Sequence, residues 1–392
     1  VDDEMDSDRA EARPATPSAV NARPAMPRVR RVVVKVGSAL ITTPGQGPAG
    51  PAIARLASDM AALVKDQREA ALVSSGAIAT GMARLGLSAR PRSIPDKQAA
   101  AAVGQSTLMW HYEQAFGKHG IQVGQVLLTG QDISDRGRYL NARNTLLALL
   151  RFGVLPVVNE NDTVAVDEIK VGDNDNLAAH VAHLIDADLL VLLTDVDGLY
   201  TGDPRRDPTA RRLETVESVT DDLQQLVFTA VSRVSVGGMS TKLQAAQKAN
   251  ASGIPMVIAR GSEPDVLQRI LRGENLGTYF EPRQDRLTAR KLWIAFAVPP
   301  QGRLLVDAGA RKALTERGKS LLPSGLTEVE GEFRAGAVVT LAEDGQEFAR
   351  GLVNYDAQEL RKIRGAKTRE IERALGYKGF DEVIHRDNLV VL

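Results

Sequence analysis

The sequence predicts an α/β protein: a mainly parallel open sheet sandwiched by helices, followed by a small, mostly β domain. Three observations carry that expectation. Strand-like runs and helical spacings alternate from residue 31 to about 272, the pattern of βα units whose crossover helices cover both faces of a parallel sheet. The strand-like runs are near-continuous β-branched or aliphatic stretches, as strands buried on both faces should be. After residue 300 the helical spacing gives way to short β-like runs separated by Gly-rich turns.

Composition narrows the function classes. At 392 residues and 43% hydrophobic, the chain is long enough for two compact domains with cores of their own. Lys plus Arg (49) balance Asp plus Glu (49), so bulk charge offers no attraction to nucleic acid or anionic membrane, and any such site has to be local. Cysteine is absent, which removes disulfides, thiolate metal sites and a cysteine nucleophile, and is compatible with a reducing cytosol. No apolar run approaches the roughly 20 residues that span a bilayer. A soluble, cytoplasmic protein without membrane partners is expected.

Residues 1 to 27 mix acidic residues, Ala, Arg and Pro without apolar periodicity and read as a disordered tail, lacking the features of a signal or transit peptide. The chain then divides into a first domain over 28 to 282, a mixed-charge linker over 283 to 300 ending in Pro299-Pro300, a small domain over 301 to 380, and an end over 381 to 392 that packs as a last strand.

Arg30 to Val36 is a β-branched run closed by Gly37, and Lys35 is its anomaly. An ammonium near the end of a buried strand either snorkels to solvent or meets an anion; Gly37-Ser38 lets backbone approach a ligand and favours the anion. Gly45-Gln46-Gly47-Pro48-Ala49-Gly50 matches a dinucleotide motif by letter, but the strand ends well before it, so a hairpin or loop is expected. Residues 51 to 66 have helical spacing, and Ala70 to Ser74 reads as a strand ending in Ser75-Gly76-Ala77. There Ser75 either caps a helix or, with the Gly76 amide, faces a substrate. Lys97 to Phe116 is a long helix, Ile121 to Leu128 a strand, Thr129 to Arg138 a charged loop, and Tyr139 to Leu150 a helix.

Asn159 to Asn176 follows the apolar run Val154 to Val158, and eleven of its eighteen residues are Asp, Glu, Asn or Lys. A polar concentration of that density at a strand end suits a ligand site. In the helix from Asn176 to Ile185, His180 and His183 could ligate a metal, but without a third ligand they read as ordinary helix residues. Leu189 to Leu193 is the most apolar strand and ends in Thr194-Asp195. Gly237-Gly238-Met239-Ser240-Thr241-Lys242 then opens a helix. Lys242 in its first turn opposes the helix dipole unless an anion sits at that N-terminus. Lys35-Gly37, Ser75-Gly76, Asn159 to Asp162 and Thr194-Asp195 therefore all fall at carboxyl ends of strands, where they should converge. With no P-loop pattern present, two isolated lysines and an amide- and carboxylate-rich loop suit phosphoryl transfer from Mg²⁺-ATP to a small polar acceptor.

In the small domain, Arg303 to Val306, Ala337 to Leu341, Phe348 to Val353 and Leu389 to Leu392 read as strands. The basic cluster Arg361 to Arg369 could touch RNA phosphate or be a solvated helix face, since residues 301 to 392 hold 15 basic and 15 acidic residues.

Taken in order, Lys35-Val36-Gly37-Ser38, Ser74 to Ile78, Asn159-Glu160-Asn161-Asp162, Ile169 to Asn176, Leu193-Thr194-Asp195, Gly198-Leu199-Tyr200 and Gly237 to Lys242 resemble the glutamate 5-kinases of the amino-acid kinase family. Val306 to Ala310 and Ser320 to Gly325 resemble the PUA domain attached to many of them. The resemblance implies ATP-dependent phosphorylation of the γ-carboxylate of L-glutamate, the first step of proline biosynthesis. Lys35 and Lys242 would stabilise the transferring group, with Asp175 organising both. Ser75, Gly76, Asn159, Asp162 and Asn174 would hold glutamate. Lys35, Gly37, Thr194, Asp195 and the segment Val236, Gly237, Gly238, Met239, Ser240, Thr241 and Lys242 would line the nucleotide site. ATP and Mg²⁺, the metal carried as Mg-ATP without a dedicated protein site, are the implied cofactors. Proline as feedback inhibitor, a homo-oligomer and channelling to the next enzyme are the implied partners. Ala39, Val236 and the segment Val231 to Val234 depart from the family pattern. The alternatives are another small-carboxylate kinase of the same family, such as an acetylglutamate or aspartate kinase, and an RNA-binding protein acting through its C-terminal domain.

Overall fold

The structure, a computed structural model, describes residue 26 and residues 28–165, 174–202, 207–220, 223, 236–283 and 289–392. The expected tail, Asp173 and the segment Val231 to Val234 lie outside the described residues, except Met26 at the tail's end. That residue is buried, and its N–H donates to the Leu271 carbonyl.

The first domain is built on an eight-stranded sheet. Its strands, in chain order, are β1 (Arg31–Val36), β2 (Glu69–Ser74), β3 (Val123–Leu128), β4 (Leu155–Glu160), β5 (Leu189–Thr194), β6 (Thr215–Val216), β7 (Met256–Arg260) and β8 (Thr278–Phe280). They lie in the order β3-β4-β2-β1-β5-β7-β8-β6. All pairings are parallel except β8 against β7. The chain winds from β1 to β2 in one direction, while β5 and β7 lie on the other side of β1. The order therefore reverses at β1, where open α/β sheets leave a crevice beyond their strand ends. The four strand ends singled out in the sequence belong to β4, β2, β1 and β5, which are consecutive in the sheet.

Strand alternation sets what each face carries. Val32, Val34 and Val36 join a core with helix α1 (Gly50–Lys65) and Leu108, Tyr112 and Phe116 of α3 (Ile94–Gly117). Val33 and its neighbours face the opposite core. That core is supplied by α5 (Arg136–Arg151), α6 (Asn174–Leu184) and α7 (Val236–Ala251). Lys35, two residues after Val33, falls on this second face, beneath α6 and α7.

Helix α2 (Ala77–Arg84) crosses α3 at backbone contact. A Cβ at Gly81 would lie 1.7 Å from the Ala100 carbonyl oxygen and one at Gly104 1.8 Å from that of Ala77, so no larger residue fits. Gly45 to Gly50 supplies the turn and second strand of a short hairpin, Gly47-Pro48 pairing with Thr42-Thr43, and leads into α1 at Gly50. The charged loop Thr129 to Arg138 is instead largely helical: Thr129 caps α4 (Gly130–Ser134) in a reciprocal box with Asp132, and Asp135 caps α5.

The second domain has a five-stranded sheet of β9 (Gly302–Val306), β10 (Leu326–Glu330), β11 (Val338–Glu343), β12 (Gln346–Leu352) and β13 (Leu389–Val391), in the order β10-β9-β11-β12-β13. It closes over its own core, Leu304, Leu341, Tyr355, Leu360 and Ile384 among it. Arg361 of the basic cluster is tied to Glu332 at 2.6 Å.

Residues 289 to 297, read as linker, are helical, and Leu292, Ile294, Ala295 and Ala297 are buried. Ile294 and Ala295, in a π-helical turn (Trp293–Ala297), pack on Val338 and Val390 of the second domain, while Ala297 and Trp293 pack on the core of the first. The apolar letters Leu292, Trp293, Ile294 and Phe296 carry that packing, so the flanking charges and Pro299-Pro300 are a poor guide to it. Among the described residues no helix is long and apolar enough to cross a membrane.

Candidate active site

Lys35 is the penultimate residue of β1, 5% exposed, and its Nζ lies 2.6 Å from Oδ1 of Asp175. Lys242, in the second turn of α7 and 9% exposed, places its Nζ 3.0 Å from Oδ2 of the same carboxylate. Asp175 itself is fully buried in the first turn of α6. Thr241 Oγ1 donates to the same Oδ2 at 3.0 Å, and Lys242 also donates to the Gly238 carbonyl at 3.1 Å. Burial alone would raise the Asp175 carboxyl, but the two ammonium groups outweigh it and hold the group below the ordinary carboxylate range. Two lysines that are 140 and 67 residues from this carboxylate in sequence thus share it. The cluster carries one net positive charge in a place with little water, an anion-binding arrangement.

A second group of polar side chains lies at the ends of β2 and β4. Asn174 Nδ2 lies 2.9 Å from each of Ser75 Oγ, the Ser74 carbonyl and Asn159 Oδ1. An amide NH₂ has two protons, so it serves at most two of these acceptors at once. Its Oδ1 is buried without a hydrogen-bond partner among the described residues, an acceptor left over for an incoming donor. Asn159, 2% exposed, donates to Gln105 Oε1 at 2.8 Å and accepts the Glu160 N–H through Oδ1. Asp162 follows on the turn just past β4.

Gly76, rather than Ser75, occupies the position ahead of α2. Its φ of +101° is a left-handed value that favours glycine, and a Cβ there would come within 3.1 Å of the Thr42 methyl. Ser75 is thereby released from capping and meets Asn174. On the other side of β1, the Gly37 N–H donates to the Leu193 carbonyl, and Thr194 Oγ1 donates to Asp195 at the end of β5. Val236 to Thr241 form the first turns of α7, so Gly237, Gly238, Met239 and Ser240 present a helix N-terminus beside Lys242.

The structure therefore brings Lys35, Asp175 and Lys242 into direct contact, and Ser75, Asn159 and Asn174 into a second contact group one residue from Asp175. Gly37, Thr194 and Asp195 stand at the adjoining strand ends. Two supports were not singled out in the sequence. Gln105 orients Asn159, and Tyr112 OH lies 2.8 Å from Ser74 Oγ, next to Ser75. Their signal was spacing: Ala101, Gln105, Leu108 and Tyr112 lie on one buried stripe of α3. His180 and His183 are buried in α6, and among the described residues no three His, Asp or Glu side chains gather as a metal cage.

Comparison with known proteins finds one family match within each domain. Residues 30–260 match the amino acid kinase family and residues 302–375 the PUA domain. Glutamate 5-kinase of Geobacter sp. (strain M21) is 50% identical over 366 residues, 93% of this chain and 98% of that protein. Glutamate 5-kinase of Moorella thermoacetica is 50% identical over 372 residues, 94% and 98% of the two chains. That of Syntrophus aciditrophicus is 49% identical over 373 residues, 95% and 97%.

Proposed function

The chain belongs to the amino acid kinase family, within it to the glutamate 5-kinases, and from that premise we propose that it transfers the γ-phosphoryl group of ATP to the γ-carboxylate of L-glutamate. The product is L-glutamyl 5-phosphate, the first intermediate of proline biosynthesis. The observation that carries the site assignment is the buried Asp175 carboxylate shared by Lys35 and Lys242.

A carboxylate oxygen attacks the γ-phosphorus, an O–P bond forms, and the bond to the bridging oxygen of ADP breaks. Two anions must approach for this. A unit charge pair at about 4 Å is worth about 1 kcal/mol in bulk water but about 4 kcal/mol in a protein environment of intermediate dielectric, which is the reason to keep the lysines out of solvent. Lys35 and Lys242 neutralise the transferring group from two sides, and Asp175 fixes both before the reaction, so little reorganisation is needed during it. The first turns of α7 offer backbone N–H groups and a positive dipole end to the nucleotide phosphates. Gly37, Thr194 and Asp195 line the same crevice for ATP. Ser75, Gly76, Asn159, Asp162 and Asn174 hold glutamate: the Asp162 carboxylate suits its α-ammonium group, and the unpartnered Asn174 oxygen accepts from it.

Mg²⁺ fits as a companion of the nucleotide phosphates, since a hard cation that keeps several waters needs few protein oxygens; bound there it would neutralise phosphate charge. A homo-oligomer, inhibition by proline, a cytoplasmic location and hand-over of the labile acyl phosphate rest on the family resemblance. The test is ATP and Mg²⁺ with L-glutamate, N-acetylglutamate and L-aspartate in turn, in the presence of hydroxylamine. Hydroxamate from glutamate alone is expected; none from glutamate overturns the assignment.

A further inference from the structure

Beside the shared carboxylate lies a second polar contact between α6 and α7, at the edge of a core made there of Leu177, Ala178, Val181, Ala245, Ala246 and Ala249, with Gln244 exposed and Lys248 half-buried. Asn176, the neighbour of Asp175 and 1% exposed, donates from Nδ2 to Gln244 Oε1 at 3.1 Å. Its Oδ1 accepts from Lys248 Nζ at 2.8 Å. Lys248 Nζ is also 3.5 Å from His180 Nε2. No carboxylate among the described residues pairs with Lys248. The space at Lys248, bounded by Tyr139, His183, Trp293 and Phe296, is only about 10 Å³, room for a single water at most. It is therefore no ligand pocket.

Lys248 is half-buried, and an ammonium drawn partly out of water without a counter-ion carries a cost that an apolar side chain of similar length in the same place would not. What Lys248 adds is a charge-assisted hydrogen bond to the residue next to Asp175. We propose that Lys248 is a positioning residue for phosphoryl transfer: through Asn176 it fixes the first turn of α6, and with it the Asp175 carboxylate, against the helix that carries Lys242. This rests on the functional reading above. Burial, with the Arg350 guanidinium of β12 adding repulsion, brings the Lys248 ammonium down to about 8. The other titratable groups facing it are His180 and His183 of α6 and Tyr139 of α5. Burial holds His180 well below its usual range and pushes Tyr139 up to about 12, so neither titrates near 8.

The test compares wild type, Lys248→Met, Asn176→Leu and the double variant by glutamate-dependent hydroxamate formation, across pH. Each single variant is expected to lose about tenfold in kcat, with KM for ATP and glutamate within about twofold, because a small misplacement of Asp175 is felt mainly in the transition state. The double variant should be no worse than either single one. The fall in wild-type kcat above about pH 8 should be missing from Lys248→Met. Wild-type kcat in Lys248→Met, multiplying effects in the double variant, or an unchanged alkaline fall would each overturn the proposal. Should Lys248→Met not fold, Asn176→Leu carries the same kcat comparison. A substrate-free readout separates this proposal from the functional reading: competitive acetylation by acetic anhydride, followed by mass spectrometry. Severalfold faster labelling of Lys35 or Lys242 in the variants sustains the positioning role even if wild type forms no hydroxamate. Unchanged labelling together with normal kcat overturns it.

Discussion

Asp175 has no solvent exposure, yet the Lys35 and Lys242 ammonium groups keep it ionised. Removing one lysine leaves the other in place to balance it, so chemistry and folding should respond differently. Lys242→Met is expected to lower kcat by about 10²- to 10³-fold, the usual loss when one group stabilising a transition state is removed. Its thermal midpoint should fall by no more than a few degrees. Steady-state kinetics and calorimetry on the same preparation check this, and a loss of activity that merely tracks unfolding would contradict the catalytic role. Both lysines were legible in the sequence because each is misplaced by local rules: one inside a β-branched strand, the other at the positive end of a helix. Asp175 was not legible that way. An Asp in a helix's first turn is ordinary, and its role followed from the family resemblance alone. Lys248 left no signal, because at helical spacing a lysine reads as solvated and only the packing of α6 on α7 draws it partly out of water.

At the level of elements, α1 carries an acid that its core does not suit. Asp59 is 7% exposed among apolar neighbours, and burial, with Asp265 adding to it and Arg55 opposing, pushes its carboxyl from 3.8 up to about 6. Because the folded value is raised, the stability linked to the protonated form is complete below about 3.8 and is lost as pH rises through about 6. Asp59→Asn should therefore be more stable than wild type near pH 8, by about 1 kcal/mol once solvent screening is allowed for. The difference should vanish near pH 4; denaturant unfolding at the two pH values measures it. Main-sheet strands β1 to β5 and helices α1, α3, α5, α6 and α7 were readable from β-branched runs and helical spacing. Two stretches were misread. Thr129 to Arg138 looks like a charged loop because its helices are short and their caps, Thr129, Asp132 and Asp135, supply the polar letters. Residues 289 to 297 looked like linker because the apolar run from Leu292 to Val298, between charges and a Pro-Pro pair, shows no period, and only the contact with both domains orders it.

Across the whole molecule, function depends on a strand order that no local pattern encodes. Crossover packing puts β4, β2, β1 and β5 side by side, so side chains from residue 35 to residue 242 meet at one sheet edge. That strand ends would converge followed from the βα alternation; which strands would be neighbours did not. The assembled edge makes a single chemical claim, that a glutamate carboxylate oxygen attacks the γ-phosphorus of ATP there. L-Glutamate labelled with ¹⁸O in its γ-carboxylate, supplied with ATP, Mg²⁺ and hydroxylamine, tests it most directly. Hydroxylamine attacks the acyl carbon, so the bridging oxygen leaves with phosphorus. Inorganic phosphate carrying one glutamate-derived ¹⁸O is the predicted result, whereas unlabelled phosphate would mean that water, not the carboxylate, receives the phosphoryl group.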